Sequence, residues 1–306
     1  MESTRIFQEQ KIEPREPCAI AWLPVKKDRR HSIPNFQPST FPLRRYLEIY
    51  WLMIRNSLIR EMSFKANFLL WIVVEFLWFI GQMVFLEVLF GHVDRLGDWS
   101  KWECVLLIGT HQIAAQIFQG FFYVNLAELP DLIRTGRLDL MLLLPVDSQF
   151  AVSTRKFGMD NLVNALVGVA IVIFSLSKLG VVPQPHQVAL FALGIGFAVG
   201  VHYAVMFGLA TAAIWIMRAQ GLIYGYFNVF NIARYPDSVF RGAFKFIFSF
   251  IVPVILVANV PARTLARALE SPWAGLAQLA GAAVFVVAAT RAFWHFALRR
   301  YSSASS

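Results

Sequence analysis

Cysteine and charge are what this chain has least of. Its 306 residues include two cysteines, Cys18 and Cys104. One lies in a polar stretch and the other at the end of an apolar run, so they make neither a disulfide framework nor a metal-binding spacing. Charged residues are 15% of the chain and hydrophobic ones 57%. A soluble domain carries roughly a quarter charged residues, which excludes an ordinary water-soluble core. Strict alternation of apolar and polar positions is missing too. That sets aside a membrane β-barrel, whose strands alternate over about ten residues. No G-x-x-x-x-G-K-[ST] phosphate loop occurs in the sequence, so nucleotide is not held here in that way. No Ser/His/Asp or Cys/His set suggests catalysis, and no metal site is expected.

Long apolar runs stand in place of these features. They cover Ala66–Phe90, Glu103–Val124, Asn161–Leu179, Val188–Met217, Phe244–Val260 and Ala274–Phe296. A membrane-crossing helix needs about 20 mostly apolar residues. The expected fold is therefore all-α, a polytopic membrane protein with six transmembrane helices. The net charge is +9. In a membrane chain such a balance follows from the bias of Lys and Arg toward cytoplasmic loops, and no nucleic-acid partner is expected. Six spans put both termini on one side. That side holds 23 of the 28 basic residues, and the other holds only Arg95, Lys101, Lys178, Arg263 and Arg267. Both termini are expected to be cytoplasmic.

The flanking stretches divide accordingly. Residues 1–42 are broken by Pro14, Pro17, Pro24, Pro34, Pro38 and Pro42 and read as a disordered basic cytoplasmic tail. Residues 43–65 follow helical periodicity, with Leu47, Tyr50, Trp51 and Ile54 on one side; an interfacial amphipathic helix is expected. Residues 66–298 form the transmembrane domain, and 299–306 a second cytoplasmic tail. Arg218–Arg241 is too polar to span and too aromatic for a free loop, and reads as an interfacial cytoplasmic helix. After the fifth run, Val260–Pro272 reads as a short helix dipping back at the outer surface.

One cytoplasmic segment has no membrane reason for its composition. Ile133–Phe150 reads IRTGRLDLMLLLPVDSQF. Pro130 and Asp131 suit a helix start. Gly136 interrupts the helix and Pro145 stops the apolar run after it. The product is a short helix carrying Asp131, Arg134 and Arg137, then a second apolar piece. This reads as a docking surface for a soluble partner, against the plainer reading of a solvated loop.

Polar groups within the runs are the other signal, since ionisable residues in lipid are costly. Glu75 and Gln82 lie seven apart on the first run. Gln112, Gln116 and Gln119 follow helical spacing on the second, beside His111, and His202 sits in the fourth. They read either as a strip lining a substrate path or subunit seam, or as hydrogen bonds within one subunit worth about 0.6 kcal/mol each. Glu75 also supports an alternative function, a stand-alone secondary carrier or channel using this acid as its ion site.

Three stretches carry a family likeness. They are SFKANFLLW (Ser63–Trp71), LPDLIRTGRLDLMLLLPVDSQF (Leu129–Phe150) and the region Arg234–Gly242. With them the chain resembles the permease subunit of type-2 ABC exporters, in a bacterial branch, over about residues 43–298. The resemblance implies six transmembrane helices with the fifth broken at its outer end, and a cytoplasmic coupling helix between the second and third. It implies that Asp131, Arg134, Thr135, Gly136, Arg137, Asp139 and Pro145 contact an ATPase. The expected partners are an ABC ATPase subunit dimer, which binds the ATP and Mg, a second permease (identical or related), and the lipids of the bacterial plasma membrane. No cofactor is expected in this chain.

Overall fold

The structure is a computed structural model that describes residues 43–63, 65–216, 220–267 and 272–301. The tail expected over 1–42, and all but the start of that over 299–306, lie outside the described residues. Among those residues the regular elements are helical, with one isolated β-bridge between Leu96 and Trp99.

Helix α1 is Leu43–Ser63 and α2 is Lys65–Phe90. Helix α3, Lys101–Phe118, runs through a π turn over Gln119–Tyr123 into the short α4, Val124–Ala127. Three small helices follow: α5 (Leu129–Arg134), α6 (Arg137–Leu142) and α7 (Ser148–Ser153). Two long helices, α8 (Met159–Leu179) and α9 (Pro185–Thr211), precede α10 (Gln220–Phe230). The chain ends with α11 (Gly242–Phe246), α12 (Leu256–Ala266) and α13 (Pro272–Leu298). Five helices are long and apolar enough to cross a membrane, over Leu69–Phe90, Lys101–Arg134, Met159–Leu179, Pro185–Ile214 and Trp273–Leu298. We call the face that carries α5 to α7 the loop face.

The bundle is held by close backbone approach and by hydrogen bonds between helices. Gly109 of α3 faces Gly168 of α8. A Cβ on Gly168 would lie 2.9 Å from Ile113 Cγ1 and 3.1 Å from the Ile113 backbone nitrogen. Small residues at such crossings replace the hydrophobic drive that lipid cannot supply. Thr290 of α13 donates to the Ala204 carbonyl of α9 at 3.1 Å, and Phe207 packs on Trp294 with ring centroids 5.2 Å apart. Helix α2 differs. Leu70, Val73, Leu77 and Phe85 are among its many exposed apolar side chains, a surface fit for lipid or a second subunit. The amphipathic helix expected over 43–65 is present as α1. Ser57 accepts a hydrogen bond from the Phe157 backbone at 3.2 Å, and Tyr50 packs on Phe121 and Phe150, so α1 lies at the loop face. Trp51, Leu52 and Ile59 point outward.

The fifth passage lies elsewhere than the apolar run Phe244–Val260. The segment from Gly242 to Ala266 is two limbs, Gly242–Ile251 and Leu256–Ala266, bent by 89°. Both ends of this hairpin meet on the same face. Asp237, just before it, pairs with Arg263 near its end at 2.5 Å. Arg267 reaches Asp98 at 2.7 Å and Glu103 at 3.0 Å, and Asp98 and Glu103 flank the start of α3. The hairpin thus enters and returns on the face opposite the loop face. Ala212–Ile214, ahead of α10 in the chain, is at the loop face, because it packs on α5. Hence α10 and the turn Asn231–Arg234 carry the chain across. The interfacial helix expected over Arg218–Arg241 is corrected to this passage: Tyr226 and Phe230 are buried in the bundle. The polar groups that argued against a span face protein, where lipid imposes no penalty.

A charged clamp ties the hairpin to the first outer loop. Arg263 and Arg267 lie over the buried Trp99 ring at 5.4 and 5.1 Å. Asn259 accepts from the Asp237 backbone at 2.9 Å and donates to the Tyr235 carbonyl at 3.2 Å. Burial alone would raise the Asp98 pKa. Hydrogen bonds from Ser238 and Arg267, with the charges of Arg267 and Arg263, bring it down from 3.8 to about 2. A depressed folded-state pKa stabilises above the unfolded value and is lost as pH falls through the folded one. The clamp should therefore hold unchanged from pH 7 to 5 and weaken only between about 4 and 2. Thermal unfolding against pH should show this acid limb, and Asp98→Asn should flatten it.

Candidate functional site

Two features concentrate the sequence signals: a ledge on the loop face and a cavity inside the bundle. The ledge begins at α5, with Pro130 in its first turn and Asp131 beside it. Thr135 ends α5 and donates its hydroxyl to the Asp131 carbonyl at 2.6 Å. Gly136 then takes φ +68°, a left-handed conformation open to glycine at little cost, and α6 restarts in a new direction. Arg137 donates from Nε to the Thr135 hydroxyl at 3.1 Å, and Arg134 pairs with Asp131 at 3.2 Å. Leu129, Leu132 and Leu138 anchor the ledge inward. Asp131, Arg134, Thr135, Arg137 and Pro145 are exposed, while Gly136 and Asp139 are half-buried. Leu143 is 80% exposed and Leu140 63%, in a region too charged to rest in lipid. The crest is thus apolar, exposed and rimmed by arginines.

The ledge is held by residues that local sequence rules do not single out. Asn125 donates to the Lys156 carbonyl and accepts from the Lys156 amide, both at 2.8 Å. Glu128 forms an ion pair with Lys156 and lies 3.7 Å from Arg155. These contacts staple the two ends of the loop together. Its far part is tied to the long helices. Gln149 donates to Tyr203 of α9 at 2.9 Å and accepts from Arg291 of α13 at 2.9 Å, and Trp294 donates to Ser148 at 3.1 Å. Asp147 caps α7 by accepting from the Phe150 amide at 3.0 Å and pairs with Arg291. Burial would raise the Asp147 pKa, but hydrogen bonds from Arg291 and the Phe150 amide bring it below its ordinary value. These contacts join the ledge to the ends of α4 and α8 and to α9 and α13.

The cavity holds about 260 Å³ and gathers six of the seven polar residues singled out in the apolar runs: Glu75, His111, Gln112, Gln116, Gln119 and His202. Gln82 does not reach it. Seven residues along α2 is about 10 Å of rise, more than so small a cavity spans. Tyr226, Asn231 and Arg234 complete the wall from the fifth passage, with Trp78, Phe227 and Phe230 as its aromatic part. Arg234 was missed because its helix was not expected to cross, although it lies in a stretch that carried the family likeness. The π turn starts at Gln119, at the cavity floor; such turns often mark functional sites.

Polar groups in this cavity are only partly satisfied. Glu75 lines the cavity together with Gln112, Gln116 and Arg234. His202 Nδ1 meets the Tyr226 hydroxyl at 2.6 Å, and the ring stacks on Phe230 at 4.0 Å. The remaining atoms, His202 Nε2, His111 Nδ1, Gln116 Oε1 and Arg234 Nε, are buried without a protein partner. Each such atom costs about 1–3 kcal/mol when nothing meets it, so the cavity is built for water or a polar guest. The imidazoles of His111 and His202 have ring centroids 6.0 Å apart. No group of three or more His, Cys, Asp or Glu arranged for a metal occurs among the described residues.

Residues 76–305 match the model of a family described as ABC-2 family transporter protein. No curated protein and no solved structure matches the chain.

Proposed function

The chain belongs to the ABC-2 transporter family, a membrane transporter component and not itself an enzyme, and from that premise we propose that it is the permease of an ATP-driven exporter. A separate ABC ATPase dimer, holding ATP and Mg, seats against Asp131–Pro145. A second permease, identical or related, completes the transporter across the exposed face of α2. Both termini lie in the cytoplasm of a bacterial cell whose plasma membrane the chain crosses. Moving the outer hairpin to the far face leaves this orientation intact: among the described residues, 12 basic residues lie toward the loop face and seven toward the opposite one.

The observation that carries the reading is the ledge itself, an exposed Leu and Arg crest clamped to α4, α8, α9 and α13. ATP-dependent closure of the partner pushes the ledge. The mount passes the displacement to α3, which lines the cavity, and the cavity switches between inward and outward access. The cargo is a small molecule or amphiphile that enters beside Glu75 and Trp78.

Transport in liposomes tests this. With the co-purifying ATPase present, efflux of a fluorescent amphiphile should require hydrolysable ATP. Gradient-driven movement by this chain alone, abolished by Glu75→Gln, would instead establish the stand-alone carrier.

A further inference from the structure

We propose that the intramembrane cavity binds an amphiphile with a zwitterionic head group, its ammonium beside Glu75 and Trp78 and its oxyanion on Arg234. This names the cargo class of the permease proposed above and rests on that reading.

Arg234 is the first group to consider in this cavity. Its guanidinium makes no hydrogen bond and no ion pair among the described residues, and its Nε is buried. An unpaired guanidinium facing a cavity is a fork ready for a carboxylate or phosphate. The free Nδ1 of His111 and Nε2 of His202 lie in the same wall and supply further polar contacts. An anion alone would nevertheless be a poor guest, because Glu75 lines the same cavity. Glu75 and Arg234 are not joined in a direct ion pair, so each charge remains open to a ligand group of opposite sign. A purely cationic head group would answer Glu75 and be repelled by Arg234. A head group with both charges answers both, and selects against either singly charged relative.

Trp78 supports the orientation. It lies three residues from Glu75 on α2, hence on the same helix face. It is 61% exposed at the cavity rim. An alkylammonium beside Glu75 would therefore also meet an aromatic face. The volume of about 260 Å³ suits a head group and not a whole lipid. The hydrocarbon tail would leave past Trp78 along the exposed apolar side chains of α2, at the seam with the second permease.

Three amphiphiles with the same twelve-carbon tail test the proposal: dodecylphosphocholine, dodecyl phosphate and dodecyltrimethylammonium. Native mass spectrometry of the full chain, held in a nonionic detergent, would count bound molecules. Wild type should retain dodecylphosphocholine about tenfold more tightly than either singly charged probe, the size of one charge-assisted hydrogen bond. Arg234→Gln should lose that preference and favour the trimethylammonium probe; Glu75→Gln should favour the phosphate. Should the glutamine variant fail to fold, Arg234→Lys keeps the charge and should keep the ranking with weaker binding. Equal retention of all three probes by wild type, or variants that weaken all three alike, would overturn the proposal. Failure here with ATP-coupled efflux intact removes only the cargo class. Loss of ATP coupling with this charge ranking intact removes the transporter reading and leaves the site.

Discussion

Replacing Arg134 and Arg137 together with alanine is expected to abolish transport-coupled ATP hydrolysis while leaving the bundle folded. Both guanidiniums lie on the exposed crest of the ledge. Their contacts within the chain, to Asp131 at 3.2 Å and to the Thr135 hydroxyl at 3.1 Å, are surface contacts. Exposed pairs of this kind contribute about 0–1 kcal/mol to stability. At an interface the same arginines become anchors, and losing one from the centre of a docking patch costs about 2 kcal/mol or more of binding. Two lost anchors should weaken the ATPase contact by about 10³-fold. Hydrolysis stimulated by cargo, measured in proteoliposomes, should fall to the level of the ATPase alone. The thermal unfolding midpoint should stay near wild type. Unchanged hydrolysis and transport would remove the docking assignment.

Asn125→Ala should have the second largest effect, of a different kind. Asn125 contributes nothing to the exposed crest and is fully buried. Its side chain holds both the amide and the carbonyl of Lys156 at 2.8 Å. Alanine leaves two backbone groups without partners, each costing about 1–3 kcal/mol. A loss of about 3 kcal/mol in stability is expected. The functional signature should separate this variant from the arginine pair. The ATPase still binds, because the crest is intact, but hydrolysis no longer moves cargo because the ledge yields. Binding retained with a several-fold lower transport per ATP is the expected outcome, read by measuring both rates on one preparation. A fall in binding equal to that of the arginine pair would contradict the division between crest and mount.

Legibility in the sequence followed what each residue faces. The shape of the ledge was readable because Gly136 and Pro145 answer to local rules of turns and helix ends. The cavity strip was readable because lipid forbids polar residues without cause, and six of the seven residues meet in one space. The fifth passage was not readable, for the same reason inverted. Composition tests average around a helix, and the turn after α10 directs Asn231 and Arg234 to a protein cavity that a composition test cannot see. The run Phe244–Val260 passes such a test because Phe246, Phe250 and Ile251 are exposed at the hairpin surface. Its return is decided by Asp237 and Arg263, residues that meet only in three dimensions. The mount was invisible on similar grounds, since Asn125 and Lys156 lie 31 residues apart.

The most direct measurement is a photo-crosslink from the ledge in living cells. A photoreactive residue at Leu143, 80% exposed on the crest, would report what touches it. Val182, 90% exposed in the loop between α8 and α9, serves as the control on the opposite face. An adduct between the Leu143 variant and an ATP-binding polypeptide is expected, and none from the Val182 variant. An adduct to that polypeptide from Val182 but not from Leu143, or crosslinks from Leu143 to lipid alone, would contradict the docking assignment.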